Sequence, residues 1–325
     1  MKPLDPAGEL VSRFSADLDR LAPDEAKLGV AVSGGPDSLA LLLLAATARP
    51  GTIEAATVDH ALRPGSDEEA AMVGRICAEF GIPHATLTAE WHSKPETAIQ
   101  ERARGERYRL LGRWAGERGL AALITAHHLD DQAETLLMRL KRGAGVRGLA
   151  GMRPVVPIPG SQLRLLRPLL TWRRSELMSI CSAAGVAAAS DPSNEDDQFE
   201  RVRVRRAMAS ADWLDPVAIA RSAGNLAAAD SALMWATGQE WEARVSWTGD
   251  EIAYRPRAPL EIRRRIVGRA LAALASEGGA EDLRGRELDR LLVELVNGGK
   301  ATLRGVLCSG GETWRFTPAP KRRKR

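Results

Sequence analysis

The sequence predicts an α/β fold with a mostly parallel, doubly wound sheet, followed by a smaller, mainly helical domain that ends in a short β hairpin. Short apolar runs alternate with helical patterns from residue 27 to about 185. This alternation is typical of a parallel sheet with helices on both faces. After Pro216 the pattern becomes helical and alanine-rich, and turn glycines mark the expected hairpin at 298–316. We place the boundary near residue 212, so the domains are 1–212 and 213–325.

The expected elements follow one another in a regular order up to residue 184. A short strand at 28–32 ends at a glycine-rich turn and leads into a helix at 38–47. The next elements alternate in the same way, with strands at 53–58, 84–90, 121–125 and 163–166 and helices at 67–80, 97–118, 131–141 and 173–184. In such sheets the ligand lies beyond the carboxyl ends of the strands, so Ser33 and His127 are expected at one edge.

Charge and cysteine content narrow the class of protein. Lys and Arg total 46 against 42 Asp and Glu, and the five basic residues of the tail, 321–325, alone make the chain basic. Such a tail can hold a polyanion through its phosphates, and a solvated tail without a partner explains the charge run equally well.

The three cysteines are far apart, so neither a disulfide framework nor a cysteine-held zinc or iron–sulfur site is expected. No apolar run approaches the roughly 18 residues of a membrane span, and no signal peptide is evident, so we expect a cytoplasmic protein.

The hexamer Ser-Gly-Gly-Pro-Asp-Ser at 33–38 is the first motif with chemical meaning. Its small residues let backbone N–H groups approach a phosphate, and the following helix directs its positive end at the same point. It lacks the Gly-Lys-Ser/Thr ending of a Walker A loop. An ordinary strand-to-helix turn is the alternative, but the order of strand, loop and helix favours anion binding.

A second motif runs from Thr125 to Thr135 as Thr-Ala-His-His-Leu-Asp-Asp-Gln-Ala-Glu-Thr. Asp131 and Glu134 have the spacing of a helix capping box, which explains both carboxylates without catalysis. Capping does not explain two adjacent histidines at a strand end. Beside a phosphate loop, Asp131 is expected to hold Mg²⁺, while capping and metal binding explain Asp130 and Glu134 equally well.

The hexamer resembles the pyrophosphate-binding loop of the N-type ATP pyrophosphatases, which adenylate a substrate oxygen and release pyrophosphate. Residues 27–206 as a whole resemble the bacterial tRNA(Ile)-lysidine synthetases within that superfamily. The matching pieces, in chain order, are Val58–Arg63, Arg104 with Arg107-Tyr108, His127–Thr135, Arg142-Gly143 with Gly148–Met152, Arg167–Leu170, Asp191–Asn194 and Arg201-x-Arg203-x-Arg205. The chain departs from the family pattern at Val202, where Asn is common, and at Gly105, where an acidic residue is usual.

The resemblance implies ATP and Mg²⁺ as cofactors, and a tRNA(Ile) with a CAU anticodon and free L-lysine as substrates. ATP would adenylate the C2 oxygen of the wobble cytidine, and the ε-amine of lysine would displace AMP to form lysidine. Phosphoryl transfer of this kind needs positioning and charge neutralisation more than a protein nucleophile. Residues 213–325 would contact the tRNA, no membrane partner is expected, and the oligomeric state, a homodimer included, stays open.

Within this chemistry, the ATP-binding residues are expected to be Ser33, Gly34, Gly35, Pro36, Asp37 and Ser38. The catalytic candidates are Asp37, His127, Asp131 and Arg203. The Mg²⁺ candidates are Asp37, Asp131 and Glu134, with Asp37 alternatively holding the loop itself. The arginines expected at tRNA or phosphate are Arg104, Arg107, Arg201 and Arg205.

Two of these assignments depend on local properties, the protonation of His127 and the backbone conformation of residues 201–205. His127 is expected near the adenylated oxygen or as a proton carrier, because histidine titrates near neutral pH. On a helix, Arg201 and Arg205 would share a face with Arg203 off it, whereas an extended segment would align all three.

Three rival classes make different demands on the sequence. A tRNA-thiolating member of the superfamily would need a cysteine pair, and an NAD or GMP synthetase draws on ammonia or a glutaminase partner. The lone cysteines oppose the first, and the absence of a nucleophilic cysteine with a helper histidine opposes the second. An ATP-binding module without catalysis is opposed by the retained Asp37, His127 and Asp131.

Overall fold

The computed structural model describes residues 5, 8–23, 25–62, 65–91, 99–189, 196–275 and 285–320. The chain forms two compact units, Met1–Ala227 and Ala228–Arg325. Arg63, the segment Asp191–Asn194 and the basic tail lie outside the described residues. Within the described ranges, no helix combines the length and the apolar character that crossing a membrane requires.

The first unit contains six strands, eight complete helices and the start of a ninth among its described residues. The strands are β1 (Leu28–Ala31), β2 (Ile53–Asp59), β3 (His84–Thr88), β4 (Ala122–Ile124), β5 (Val155–Pro157) and β6 (Arg164–Leu166). The helices are α1 (Glu9–Asp19), α2 (Pro36–Ala48), α3 (Ser66–Glu79), α4 (Ile99–Glu117), α5 (Leu129–Lys141), α6 (Val146–Leu149), α7 (Arg174–Ala184) and α8 (Glu200–Ser210).

These strands form one sheet in the order β3-β2-β1-β4-β6-β5. All neighbours are parallel except the edge strand β5, which pairs antiparallel with β6. Leu28 of β1 pairs with Ile53 of β2 on one side and with Ala122 of β4 on the other. Because the direction of winding reverses between β1 and β4, a crevice opens beyond the carboxyl ends of these two strands. The predicted doubly wound, mostly parallel sheet is confirmed.

Helix α2 fixes the position of the loop that precedes it. Its residues from Ser38 to Ala45 are all buried, in contact with α1, α7 and the sheet. Gly35 caps the helix and Pro36 occupies its first turn, where a missing N–H costs nothing. Each buried leucine contributes about 2 kcal/mol, so the helix is a rigid support for the phosphate loop.

The second unit contains a five-stranded antiparallel sheet and its helices. Its elements begin with the end of α9 (Pro216–Arg244), which contains the boundary between the units, and continue with β7 (Val245–Thr248), β8 (Glu251–Tyr254), α10 (Leu260–Leu274), α11 (Gly285–Val296), β9 (Lys300–Leu303), β10 (Val306–Ser309) and β11 (Trp314–Pro318). The strand order is β7-β8-β11-β10-β9. In its core the ring of Tyr254 meets that of Trp314 edge-on, with centroids 5.7 Å apart.

The C-terminal sheet has five strands, whereas the sequence predicts a single two-stranded hairpin. The predicted hairpin is present as β9 and β10, and β11 extends it towards a second hairpin formed by β7 and β8. Strand β7 follows α9 without a break and leaves three of its four residues exposed. Its sequence, Val-Ser-Trp-Thr, alternates apolar and polar residues, but four residues that directly continue a long helix carry little strand signal.

Candidate active site

The phosphate loop, residues 33–38, joins β1 to α2 at the crevice. Gly34 has φ +83°, a conformation that favours glycine, and a Cβ there would lie 3.3 Å from Cε of Met72. The Ser38 hydroxyl donates to the Gly35 carbonyl at 2.9 Å and accepts the Ser33 N–H at 3.1 Å. The Gly34 carbonyl accepts the N–H of Ala189 at 3.0 Å. The loop is therefore shaped by its own serines and glycines, as anion binding requires.

The second motif enters the site where β4 ends. His128 caps helix α5: its N–H donates to Oδ2 of Asp131 at 3.0 Å, and its Nδ1 accepts the Asp131 N–H at 3.4 Å. The capping box therefore pairs His128 with Asp131, and the expected pairing of Asp131 with Glu134 is wrong. The reason is that the helix begins at Leu129, so Glu134 already lies in its second turn.

Three carboxylates surround the buried His128. Its Nε2 lies 3.6 Å from Oδ2 of Asp37 and 3.5 Å from Oδ2 of Asp131, and its Nδ1 lies 3.7 Å from Oδ2 of Asp130. Burial by itself lowers the pKa of His128, but the hydrogen bond with Asp37 and the charge of Asp131 raise it above its usual value. Burial raises the pKa of Asp131, and the charges of His128 and Arg201 outweigh it, so that the pKa falls below the ordinary value. Asp131 is thus ionised at neutral pH.

The carboxylates of Asp37 and Asp131 fit Mg²⁺ bound together with a nucleotide. Oδ1 of Asp37 is buried and has no hydrogen-bond partner. Among the described residues, no group of three or more His, Cys, Asp or Glu side chains is arranged to hold a metal by itself. Mg²⁺ characteristically takes one or two carboxylates and completes its shell with phosphate oxygens and water. The donor set therefore suits a metal that arrives with ATP.

His127 faces the pocket from the end of β4. Its Nδ1 lies 2.9 Å from the hydroxyl of Thr125. Burial lowers the pKa of His127 to about 4, and the nearby positive charges of Arg167 and Arg104 add to this, while Asp131 opposes it. The imidazole is therefore neutral at physiological pH, in contrast to the titration near neutrality on which the proton-carrier expectation depends.

The arginine motif folds as helix α8, so the helical alternative holds. Arg201 Nε lies 3.1 Å from Oε2 of Glu134, and Arg205 Nε donates to Oε1 of the same carboxylate at 2.7 Å. Both oxygens of Glu134 thus contact arginines, which leaves Glu134 apart from the two aspartates that suit a metal. Arg203 points elsewhere and donates to the carbonyls of Asp197 at 2.6 Å and Gln198 at 3.0 Å.

One pocket of about 510 Å³ collects most of these groups. It is lined by Ala31, Val32, Ser33, Asp37, Ser38, Ala56, Thr57, Val58, His60, Leu62, Ser66, Glu69, Arg107, Tyr108, Leu111, Thr125, Ala126, His127, Asp131 and Arg201. Of the candidates from the sequence, this lining includes Ser33, Asp37, Ser38, Arg107, His127, Asp131 and Arg201. The candidates outside the lining are Gly34, Gly35, Pro36, Arg104, Glu134, Arg203 and Arg205.

The pocket also contains residues to which sequence reasoning assigned no role. Nη2 of Arg107 lies 3.3 Å from Nε2 of His60, and burial lowers the pKa of that histidine. Arg104 places its guanidinium 5.0 Å from the centre of the Tyr108 ring. His60 and Tyr108 both fall within motif pieces, which is the signal that could have identified them.

The geometry defines a class of protein. A glycine-rich phosphate loop after β1 faces a histidine and an aspartate after β4, across the reversal point of a doubly wound sheet. This is the arrangement of a PP-loop ATP pyrophosphatase. A family model described as a PP-loop domain matches residues 10–211. A U34-tRNA thiolase from Methanococcus maripaludis has the same fold, with a TM-score of 0.55 and 17% identity over 67% of this chain and 79% of that one.

Relatives similar over nearly the full length give the particular family. A tRNA(Ile)-lysidine synthase from Novosphingobium aromaticivorans is 46% identical over 314 residues, which cover 96% of this chain and 94% of the relative. A tRNA(Ile)-lysidine synthase from Zymomonas mobilis is 44% identical over 306 residues, with 93% and 92% covered. The chain belongs to the tRNA(Ile)-lysidine synthase family.

Proposed function

We propose that this protein ligates free L-lysine to C2 of the wobble cytidine in a CAU-anticodon tRNA(Ile), using ATP and releasing pyrophosphate and AMP. The observation that carries the proposal is a single pocket shared by the phosphate loop, Asp37, His127 and Asp131. It occurs in a chain that aligns along 96% of its length with a tRNA(Ile)-lysidine synthase.

The phosphate end of the site positions ATP. The backbone of the phosphate loop and the N-terminus of α2 bind the phosphate groups, and Arg201 adds a charged donor at the rim of the pocket. Asp37 and Asp131 would hold Mg²⁺, which neutralises charge on the departing pyrophosphate. These groups bind and orient, and none of them acts as a nucleophile.

His127 acts in this proposal as a hydrogen-bond partner. A base with a pKa of about 4 takes protons poorly at neutral pH. We assign the Thr125 hydroxyl as the donor to Nδ1, which places the remaining ring proton on Nε2 of this pocket-lining histidine. That N–H donates to the cytidine O2 as ATP adenylates it, which is the first of the two roles expected for His127.

The remaining assignments concern the tRNA and the setting of the reaction. Arg104 and Arg107 on α4 bind tRNA phosphates beside the pocket, because arginine forms strong charge-assisted bonds to phosphate oxygens. Residues 213–325 and the basic tail contact the tRNA body, and such contacts position the anticodon without reading it. We place the reaction in the cytoplasm.

Pyrophosphate release tests the reaction directly. Purified protein receives ATP, Mg²⁺, lysine and either a CAU-anticodon tRNA(Ile) transcript or initiator tRNA(Met), which carries the same anticodon. We expect release with the isoleucine tRNA alone, together with incorporation of labelled lysine into that RNA. Release with neither tRNA, despite clear ATP binding, contradicts the proposal and supports an ATP-binding module.

A matched pair of variants separates the chemistry of Asp131 from its capping contact. Asp131→Asn keeps an oxygen to accept the His128 N–H, so the fold is expected to survive while Mg²⁺-dependent adenylation is lost. Glu176→Gln is the control, because Glu176 accepts the Arg173 N–H at 2.7 Å in the capping box of α7, outside the pocket lining. An unfolded Asp131→Asn variant, or one with an unchanged rate, contradicts a metal-binding role.

A further inference from the structure

His128 lies between the two helix ends that build the phosphate end of the site. It is 2% exposed, far more buried than the pocket residue His127 beside it. It follows β4 as the cap of α5, and its ring faces Asp37 in the first turn of α2. The imidazole therefore lies between a carboxylate in the first turn of α2 and one in the first turn of α5.

The two ring nitrogens of His128 make different contacts. Nδ1 of the neutral ring accepts the Asp131 N–H at 3.4 Å, and Nε2 carries a proton whether the ring is neutral or charged. Nε2 in turn lies 3.6 Å from Oδ2 of Asp37 and 3.5 Å from Oδ2 of Asp131. Nε2 thus faces two carboxylates that come from different helices, each at ion-pair distance.

The third carboxylate near the ring is engaged with another helix. Oδ2 of Asp130 accepts the N–H of Arg174 at 2.8 Å, and its Oδ1 lies 3.4 Å from the guanidinium of Arg173. These contacts tie Asp130 to the start of α7. Asp37 and Asp131 therefore remain as the pair that His128 serves.

Two carboxylates that face the same ligand repel each other, and the repulsion drives them apart or favours protonation of one of them. A donor shared between their inner oxygens offsets this repulsion and leaves the outer oxygens available. Oδ1 of Asp37 is such an oxygen, since it is buried and has no partner.

We propose that His128 is a positioning residue that holds Asp37 and Asp131 side by side through its Nε2–H, so that both carboxylates bind the Mg²⁺ of Mg²⁺–ATP. This inference rests on the proposed use of ATP and Mg²⁺. It gives the second histidine of the His-His pair a role distinct from that of His127. The competing explanation is that His128 serves α5 only as a helix cap.

Two substitutions separate the bridge from the cap. His128→Asn keeps a good capping oxygen for the Asp131 N–H, but its amide is too short to reach Asp37. His128→Gln places an amide N–H at about the reach of the ring Nε2 and so keeps a donor for the two carboxylates. A residue that only caps the helix is replaced well by Asn and less well by Gln, and the bridging role predicts the opposite order.

The readout is equilibrium binding of α,β-methylene ATP by calorimetry, with Mg²⁺ and with EDTA. In the wild-type protein we expect Mg²⁺ to tighten binding. In His128→Asn the Mg²⁺ enhancement is expected to fall by about 10- to 100-fold, the usual effect of removing a group that orients a metal ligand. Affinity in EDTA stays unchanged, and His128→Gln retains the enhancement within about threefold of the wild type.

The outcomes distinguish this inference from the proposed function. Full Mg²⁺ enhancement in His128→Asn, or its loss in a folded His128→Gln, overturns the positioning role alone. If His128→Asn fails to fold, the Gln variant decides by the same criterion. Wild-type protein that binds the analogue equally well with Mg²⁺ and with EDTA overturns the use of Mg²⁺ and this inference with it.

Discussion

Arg205 on α8 donates its Nε–H to Oε1 of Glu134 on α5 at a distance of 2.7 Å. The Glu134 side chain is 3% exposed, and Arg201 approaches its second oxygen at 3.1 Å. A carboxylate this buried is tolerated because cations compensate for its lost hydration. The pairing ties α8 to the helix that carries Asp131.

The first prediction concerns the stability that this pairing provides. Glu134→Gln is expected to lower the free energy of unfolding by about 2 kcal/mol, less than for a fully buried pair because both arginines are partly exposed. Glu200→Gln is the control, since Glu200 joins the same two helices through Lys141 and Arg142 at exposed positions and is expected to cost at most about 0.5 kcal/mol. Urea unfolding of both variants measures the difference, and equal losses would contradict it.

The second prediction separates the arginines of α8. Arg201 lines the pocket, whereas Arg203 donates to backbone carbonyls on another side of the helix. Loss of a charge-assisted bond to phosphate costs roughly 1.5–3 kcal/mol, so Arg201→Ala is expected to reduce kcat/KM for adenylation by about 10- to 100-fold. The reduction of kcat/KM in Arg203→Ala is expected to be at least about tenfold smaller than the reduction in Arg201→Ala. Equal losses in single-turnover assays would support the catalytic role expected for Arg203.

How much of the site could be predicted depends on how local its determinants are. The phosphate loop and His127 follow strands with a clear apolar pattern, so their place at one sheet edge could be inferred from sequence. The ion pairs of Glu134 with Arg201 and Arg205 join residues about 70 positions apart, and no periodicity indicates them. The role of His128 as a cap was hidden for a different reason: histidine is not among the preferred capping residues.

The fold, like the site, combines elements that follow from local sequence with elements that depend on residues far apart in the chain. The sheet order around β1 follows from alternating strands and helices, because parallel connections leave few alternatives. The short strands β7 and β8 pair with each other, and β8 is joined to the rest of the sheet by β11, some 60 residues later in the chain. Four-residue strands of this kind depend on tertiary contacts and show little in their own sequence.

The third prediction is a pH dependence of stability that originates at His127. An unfolded histidine has a pKa of about 6.5, and in the folded protein the pKa of His127 is about 4. Between these values the unfolded chain binds more protons, so the free energy of unfolding falls as the pH drops through this window and is constant above it. His127→Gln is expected to flatten the dependence between pH 4 and 6.5.

Proton NMR tests whether the imidazole of His127 has the lowered pKa on which this pH dependence rests. The Cε1–H resonance that disappears in His127→Gln is expected to hold its position from pH 8 down to about 5. Asp131 stays ionised across this range, because its pKa lies below the ordinary value of 3.8. A midpoint near 6.5 would contradict the assignment of a neutral imidazole and revive the proton-carrier role.

The fourth prediction concerns the three thiols, which are all buried. Burial raises the pKa of Cys77 and of Cys308 to about 12 and that of Cys181 to about 11. Since the thiolate is the reactive form, a disulfide reagent at pH 8 is expected to modify none of them in the native protein and all three after unfolding. Rapid modification of a native thiol would reopen the thiolating alternative.

The last prediction concerns the basic tail, whose role is so far only an expectation from the sequence. Each phosphate that a cationic side chain neutralises adds about 0.9 to the slope of log K against log salt concentration on a duplex. Removal of residues 321–325 is therefore expected to weaken tRNA binding most at low salt and to reduce that slope by at most about 4.5. Replacement of the five residues by serine is the matched control for chain length. Filter binding between 50 and 300 mM salt measures the affinity and the slope for both variants. A slope that stays the same in both variants would make the tail a solvated extension without contact to the tRNA.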